Sequence, residues 1–96
     1  MLTLEQLRTF LSVARLGGVR RAAEQLHISQ PAVSARITGL ENTLGVTLFK
    51  RGPKGVTLTK QGVLLRTHAE QIATSLERIK AEVVPPEAVS NSSETS

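Results

Sequence analysis

The chain has 96 residues, 40% of them hydrophobic, with twelve Lys and Arg against eight acidic residues and a net charge of +4. A domain this short buries only about 60–65% of its unfolded surface, and with Phe10 and Phe49 as its aromatic residues its core must be built from Leu, Ile, Val and Ala, which suits packed helices. The absence of Cys removes disulfides, thiolate metal sites and a thiol nucleophile; with no Asp, no glycine-rich phosphate loop and no room for a deep pocket, an enzyme is not expected.

Thr3 followed by Gln6 forms a capping-box signature, and Leu4, Leu7, Phe10, Leu11 and Ala14 then recur at helical spacing. They predict a first helix with one core-facing stripe, stopped by Gly17-Gly18. A second helix follows from about Val19 to Leu26, with Val19, Ala22, Ala23 and Leu26 on one face and Arg20, Arg21, Glu24 and Gln25 elsewhere. His27-Ile28-Ser29 makes a tight connection. Either Ser29 or Gln30 caps a third helix, whose first turn holds Pro31 where a missing N–H is harmless.

The third helix runs to about Leu44. Val33, Ile37, Leu40 and Leu44 fall within roughly 60° of arc and are expected in the core, whereas Pro31, Ser34, Ala35, Thr38 and Asn42 point outward. The outward face is small and polar, not charged, and meets no steric obstruction in a groove. After Gly45, the runs Val46–Phe49 and Val56–Leu58 predict a two-stranded hairpin around the basic tip Lys50-Arg51-Gly52-Pro53-Lys54-Gly55. Such a hairpin is marginal alone and must lean on the helices through Leu48 and Leu58.

Thr59 caps a long fourth helix to about Val83, in which Leu65, Ala69, Ile72, Leu76, Ile79 and Val83 are spaced as a heptad seam. Glu77, Arg78, Lys80 and Glu82 lie off the seam, so the natural partner for it is the same helix of a second copy. Pro85-Pro86 ends the helix, and the Ser-, Glu- and Asn-rich remainder reads as a disordered tail or truncated linker. The chain divides into a head over 1–58, a linker or dimerisation helix over 59–84 and a tail over 85–96.

Charge follows the same division. Up to residue 66 there are ten Lys and Arg against Glu5, Glu24 and Glu41, a net +7; from 67 onward two cations face five Glu, a net −3. A basic head on an acidic stalk suits a polyanion, because phosphate neutralisation supplies most nucleic-acid affinity. RNA fits the charge equally well, but single-stranded recognition relies on aromatic platforms that two core-spaced Phe do not provide. No run approaches the ~18 apolar residues that cross a bilayer, and no basic-then-apolar leader is present, so the protein is expected to be soluble and cytoplasmic.

Three short helices, a tight turn before the third, a basic hairpin and a long pairing helix describe a mainly α winged helix-turn-helix. More specific are Leu7-x-x-Phe10, the string Arg21-Ala22-Ala23-Glu24-Gln25-Leu26-His27-Ile28-Ser29-Gln30-Pro31-Ala32-Val33-Ser34, and Ile37-x-x-Leu40-Glu41-x-x-Leu44-Gly45. Leu48-Phe49-Lys50-Arg51 and Leu58-Thr59-x-x-Gly62 continue the set. From Leu4 to about Gly62 the chain resembles the N-terminal domain of LysR-type transcriptional regulators, and its fourth helix resembles their linker helix. The resemblance implies a homodimer, or a tetramer in the intact regulator, on an imperfect inverted repeat of double-stranded DNA. It also implies a large C-terminal domain of periplasmic-binding-protein type that senses a small-molecule effector; no cofactor is expected in this chain itself.

On that reading the start of the third helix lies in the major groove. Gln30 can bond bidentately to adenine, Pro31, Ala32 and Ala35 can meet thymine methyls, and Ser34 can donate to a base or a phosphate. Family members often carry Arg after the serine that matches Ser34, whereas here Ala35 stands there and Arg36 follows, turned to the flank of the helix. Arg20, Arg21, Ser29, Arg36 and Thr38 are phosphate or flank candidates, and Lys50, Arg51 and Lys54 are wing candidates for a minor groove or its phosphates. Charged wing tips and helix faces also serve solubility alone. His27 and His68, without Cys, Asp or a carboxylate cluster, are expected to be structural and not metal ligands.

Overall fold

A computed structural model describes residues 1–85. It contains α1 (Leu4–Leu16), α2 (Val19–Leu26), α3 (Gln30–Leu44), the strands β1 (Phe49–Gly52) and β2 (Gly55–Leu58), and α4 (Lys60–Val83). The mainly α winged helix-turn-helix with a long fourth helix is the observed architecture. The tail expected from residue 85 lies, Pro85 apart, outside the described residues.

The helix ends follow their local chemistry. At α1 the capping box is complete: the Gln6 amide donates to Thr3 Oγ1 at 3.1 Å while the Thr3 amide donates to Gln6 Oε1 at 3.0 Å. Gly17 closes that helix in the left-handed region at φ 75°. The choice left open before α3 falls to Ser29, whose hydroxyl accepts from the Ala32 amide at 3.2 Å. His27 caps α2 in the left-handed region at φ 58°, a conformation non-glycine residues seldom take.

The core gathers around α1, with Phe10, Val13, Ala22, Val33, Leu40 and Leu48 fully enclosed. Two expected members are missing from it. Leu44 is 37% exposed and Leu4 42%: both sit in terminal turns, past the elements that cover the middle of their helices, so the right helical angle does not bring burial. In exchange α1 buries Thr9 and Ser12, each with its polar atom used. Thr9 donates to the Glu5 carbonyl at 2.8 Å and Ser12 donates to the Gln25 side chain on α2.

The wing departs from expectation at its start. Val46–Leu48 is not strand, and β1 begins at Phe49, paired antiparallel with Leu58. The backbone before it is already committed: the Leu48 amide donates to Glu41 Oε2 at 2.7 Å, the Leu48 carbonyl accepts from the Thr59 amide at 2.9 Å, and the Thr47 carbonyl accepts from Thr59 Oγ1 at 2.6 Å. Groups held by α3 and by the cap of α4 are not available to a ladder. The hairpin then leans on the helices as expected, through buried Leu48, through Phe49 with its ring 5.2 Å from that of Phe10, and through a 3.1 Å bond from the Val56 amide to the Gly17 carbonyl.

The predicted seam on α4 divides in two. Ala69 is 1% exposed inside its own chain's core, and Leu65 is half-buried against the same cluster. Beyond them Ile72, Ile79 and Val83 are exposed, with Leu76 half-buried at the rim of a groove shared with Leu4, Leu7 and Leu11 of α1.

Candidate nucleic-acid interface

Because Ser29 caps α3 and Pro31 needs no amide partner, the first turn of this helix is solvent-facing with little left unsatisfied. Val33, Ile37 and Leu40 anchor its inner side. With that side fixed, Gln30, Pro31, Ala35 and Thr38 are exposed on the outer side, while Ala32 and Ser34 are half-buried at its edges. The outer face is therefore short, uncharged and built from small groups, with Gln30 its longest amide.

Exposed cations stand on the elements before and after α3. Arg20 and Arg21 are exposed at the start of α2, where Arg20 pairs with Glu24 at 3.5 Å one turn on. Lys50, Arg51 and Lys54 are exposed on the wing. Alternation along β1 separates them: Arg51 shares the side of Phe49 and lines a cleft of about 130 Å³ with Ser34 and Thr38 of α3, whereas Lys50 faces the other side. The tertiary fold thus brings the third helix and Arg51 together, although 17 positions separate Arg51 from Ser34 and 13 separate it from Thr38.

Arg36 takes a different position. Its guanidinium is 3.6 Å from the Glu5 carboxylate and donates to Thr9 Oγ1 at 3.4 Å, both on α1. Arg8 and Arg15 line the groove between α1 and α4 together with Glu70 and Glu77, so part of the positive charge of the head serves that groove and not the face of α3.

Sequence reasoning passed over three residues that shape the site. Glu5 holds Arg36, Glu41 fixes the entry to the wing, and Thr47 stands exposed on the rim of the cleft. Glu41 lies within the Ile37–Gly45 motif; Glu5 and Thr47 carry no local signal, since Arg36 and the cleft they face are formed by distant parts of the chain. Among the described residues no group of three or more His, Cys, Asp or Glu is gathered as a metal site, and no helix is long and apolar enough to cross a membrane.

Residues 4–63 match the family described as bacterial regulatory helix-turn-helix protein, lysR family. Among curated relatives, the HTH-type transcriptional regulator CfxR of Cupriavidus necator is 48% identical over 71 residues, which are 74% of this chain and 22% of CfxR. The RuBisCO operon transcriptional regulator of Allochromatium vinosum is 44% identical over 78 residues, 81% of this chain and 26% of that protein. The chain therefore spans about a quarter of the length of these relatives. In three dimensions it is similar to the chain in the crystal structure of the CbnR_DBD-DNA complex, with a TM-score of 0.79 and 33% identity over 85% of this chain and 94% of that one. The BenM_DBD/benA site 1 DNA complex gives a TM-score of 0.81 at 29% identity, over 85% of this chain and 95% of that one.

Proposed function

The chain belongs to the lysR family of bacterial helix-turn-helix regulatory proteins, and from that premise we propose that it binds double-stranded DNA sequence-specifically, as a dimer on an imperfect inverted repeat, to regulate transcription. The observation that carries this reading is the exposed, uncharged face of α3 with Arg51 across one cleft from it and exposed cations on α2 and the wing. Cations beside a small polar face supply phosphate affinity without crowding the base edges. The CbnR_DBD and BenM_DBD structures, each a complex with DNA, support the same reading.

In this reading Gln30 reads adenine, Pro31, Ala32 and Ala35 meet thymine methyls, and Ser34 donates to a base or phosphate. Arg20, Arg21, Ser29 and Thr38 serve the strand on either side, Lys50, Arg51 and Lys54 serve the flanking groove, and Arg36 stays on the flank under the hold of Glu5. Two copies pair through Ile72, Leu76, Ile79 and Val83 of α4, with Leu65 and Ala69 supporting that helix from within each subunit. Response to a small-molecule effector belongs to a C-terminal domain that the described residues do not include, and the setting is the bacterial cytoplasm.

A winged helix used only to pair proteins would present an acidic or a wide apolar outer face on α3, whereas this face sets Gln30 and Thr38 among the small Pro31 and Ala35. The deciding experiment is binding of the purified chain to duplex DNA across a range of salt, first random sequence and then selected sites, alongside Gln30→Ala. A steep salt dependence and an enriched inverted repeat whose preference weakens in the variant are the expected results. Absence of binding to any duplex at low salt overturns the proposal.

A further inference from the structure

The cleft between α3 and the wing has a composition that the base-reading face lacks. Ser34 and Thr38 of α3, Thr47 of the connection and Arg51 of β1 stand on its rim, while Val19, Ile37, Phe49 and Val56 are among the groups beneath them. None of the three hydroxyls has a hydrogen-bond partner among the described residues. Thr9 and Thr67, by contrast, donate to the carbonyl four residues back, and Thr59 donates to the Thr47 carbonyl. Ser34 is half-buried in this state. It lines the cleft with its hydroxyl unused by the protein.

Three neutral donors and one guanidinium above an apolar floor match one repeating unit of a nucleic-acid strand, in which an anionic phosphate adjoins an apolar deoxyribose face. Glu41, the one carboxylate at the cleft, is held by the Leu48 amide at 2.7 Å, and its pull on that amide fixes the connection that carries Thr47. Thr59 bonds the Thr47 carbonyl from the opposite side at 2.6 Å. The Thr47 side chain is thus presented by a backbone gripped at two points, a preorganised donor and not a loop tip.

We propose that this cleft seats one sugar–phosphate unit of a duplex strand, with the Thr47 hydroxyl donating to the phosphate beside Arg51 and the deoxyribose lying on Val56 and Phe49. The inference rests on the DNA-binding reading above and deepens it: the unit seated here sets the register in which Gln30 meets its base, since backbone contacts position while base contacts specify.

The test compares Thr47→Val, which keeps shape and removes the hydroxyl, with Thr47→Ser, which restores it, and with Arg51→Gln. Kd is measured for the same duplexes at several salt concentrations, with the thermal midpoint of each variant alongside. Thr47→Val is expected to weaken all duplexes by a similar factor of about three to ten, the worth of one neutral hydrogen bond, with an unchanged salt slope. Thr47→Ser is expected to bind as the parent does, and Arg51→Gln to lower the slope by about one. Unchanged affinity in Thr47→Val, while the parent binds DNA, overturns the seat and leaves the DNA-binding reading intact. A loss confined to some sequences also overturns it, by making Thr47 a base reader. If the parent itself binds no duplex, it is the underlying reading that has failed.

Discussion

Arg36, on the flank of α3, is tied to Glu5 on α1: the guanidinium lies 3.6 Å from the carboxylate and a second nitrogen donates to the fully buried Thr9 hydroxyl at 3.4 Å. Arg36 is only 34% exposed on its side chain while Glu5 is 76% exposed, so the acid reaches in from solvent to hold the cation. An exposed pair of this kind contributes little stability; its consequence is to hold a cation away from the outer face of α3. Glu5→Gln is expected to release Arg36, raise affinity for random duplex several-fold and steepen the salt slope by up to about one. The same change in an Arg36→Gln background is expected to do nothing, and an equal effect in both backgrounds would refute the link.

Two glycines mark where backbones meet closely. A Cβ at Gly62 would stand 2.3 Å from the Leu48 carbonyl oxygen, and one at Gly55, where φ is +119°, 2.5 Å from the Gly17 carbonyl oxygen. Alanine at either position is expected to cost about 1–3 kcal/mol, lowering the thermal midpoint by several degrees. Gly39 behaves differently, because the nearest atom to its added Cβ is Gln6 Nε2 at 3.2 Å, the end of a flexible side chain whose Oε1, not Nε2, serves the capping box. Gly39→Ala is expected to be neutral or to stabilise by up to about 1 kcal/mol through helix propensity. Calorimetry of the three variants separates the cases.

The division of α4 can be tested with one substitution in each half. Ala69→Leu adds three carbons to a site that is 1% exposed and is expected to destabilise the head by about 1–3 kcal/mol. Ile79→Asp, at a position 54% exposed, is expected to leave the fold of each chain in place and weaken self-association. Sedimentation at micromolar concentration reads the second effect and circular dichroism the first. Retention of full self-association by Ile79→Asp would remove the proposed seam.

Glu41 accepts the amide of Leu48, a residue fully buried at the foot of the wing. Glu41→Gln keeps an acceptor and loses its charge, so a cost of about 1 kcal/mol is expected; Glu41→Ala leaves the Leu48 amide without a partner and is expected to cost about 2 kcal/mol or more. Hydrogen exchange at Leu48 should quicken in the same order.

Local signals carried most of the element boundaries. The Thr3 and Gln6 box, Gly17, Gly45 and Thr59 each act through partners within a few residues, so their chemistry is visible in a short window of sequence. Helical angle was a less sufficient guide, since Leu4 and Leu44 have core angles but lie in terminal turns where cover is only partial. The β1 boundary could not be read either: Val46–Leu48 has strand composition, and only its capture by Glu41 and Thr59 keeps it out of the ladder.

By itself the sequence determined the class of fold, the order of its elements, the basic head and the uncharged outer face of α3, because periodicity, caps and composition act over one or two turns of chain. Tertiary structure alone decided that Arg36 turns toward Glu5, that Ala69 closes its own chain's core while Ile79 stays outside, and that Thr47 meets Ser34 and Arg51 around one cleft. Each of those outcomes depends on the distance between residues on different elements. That distance is set by how α1, α3, α4 and the wing pack, and spacing along the chain carries no record of it.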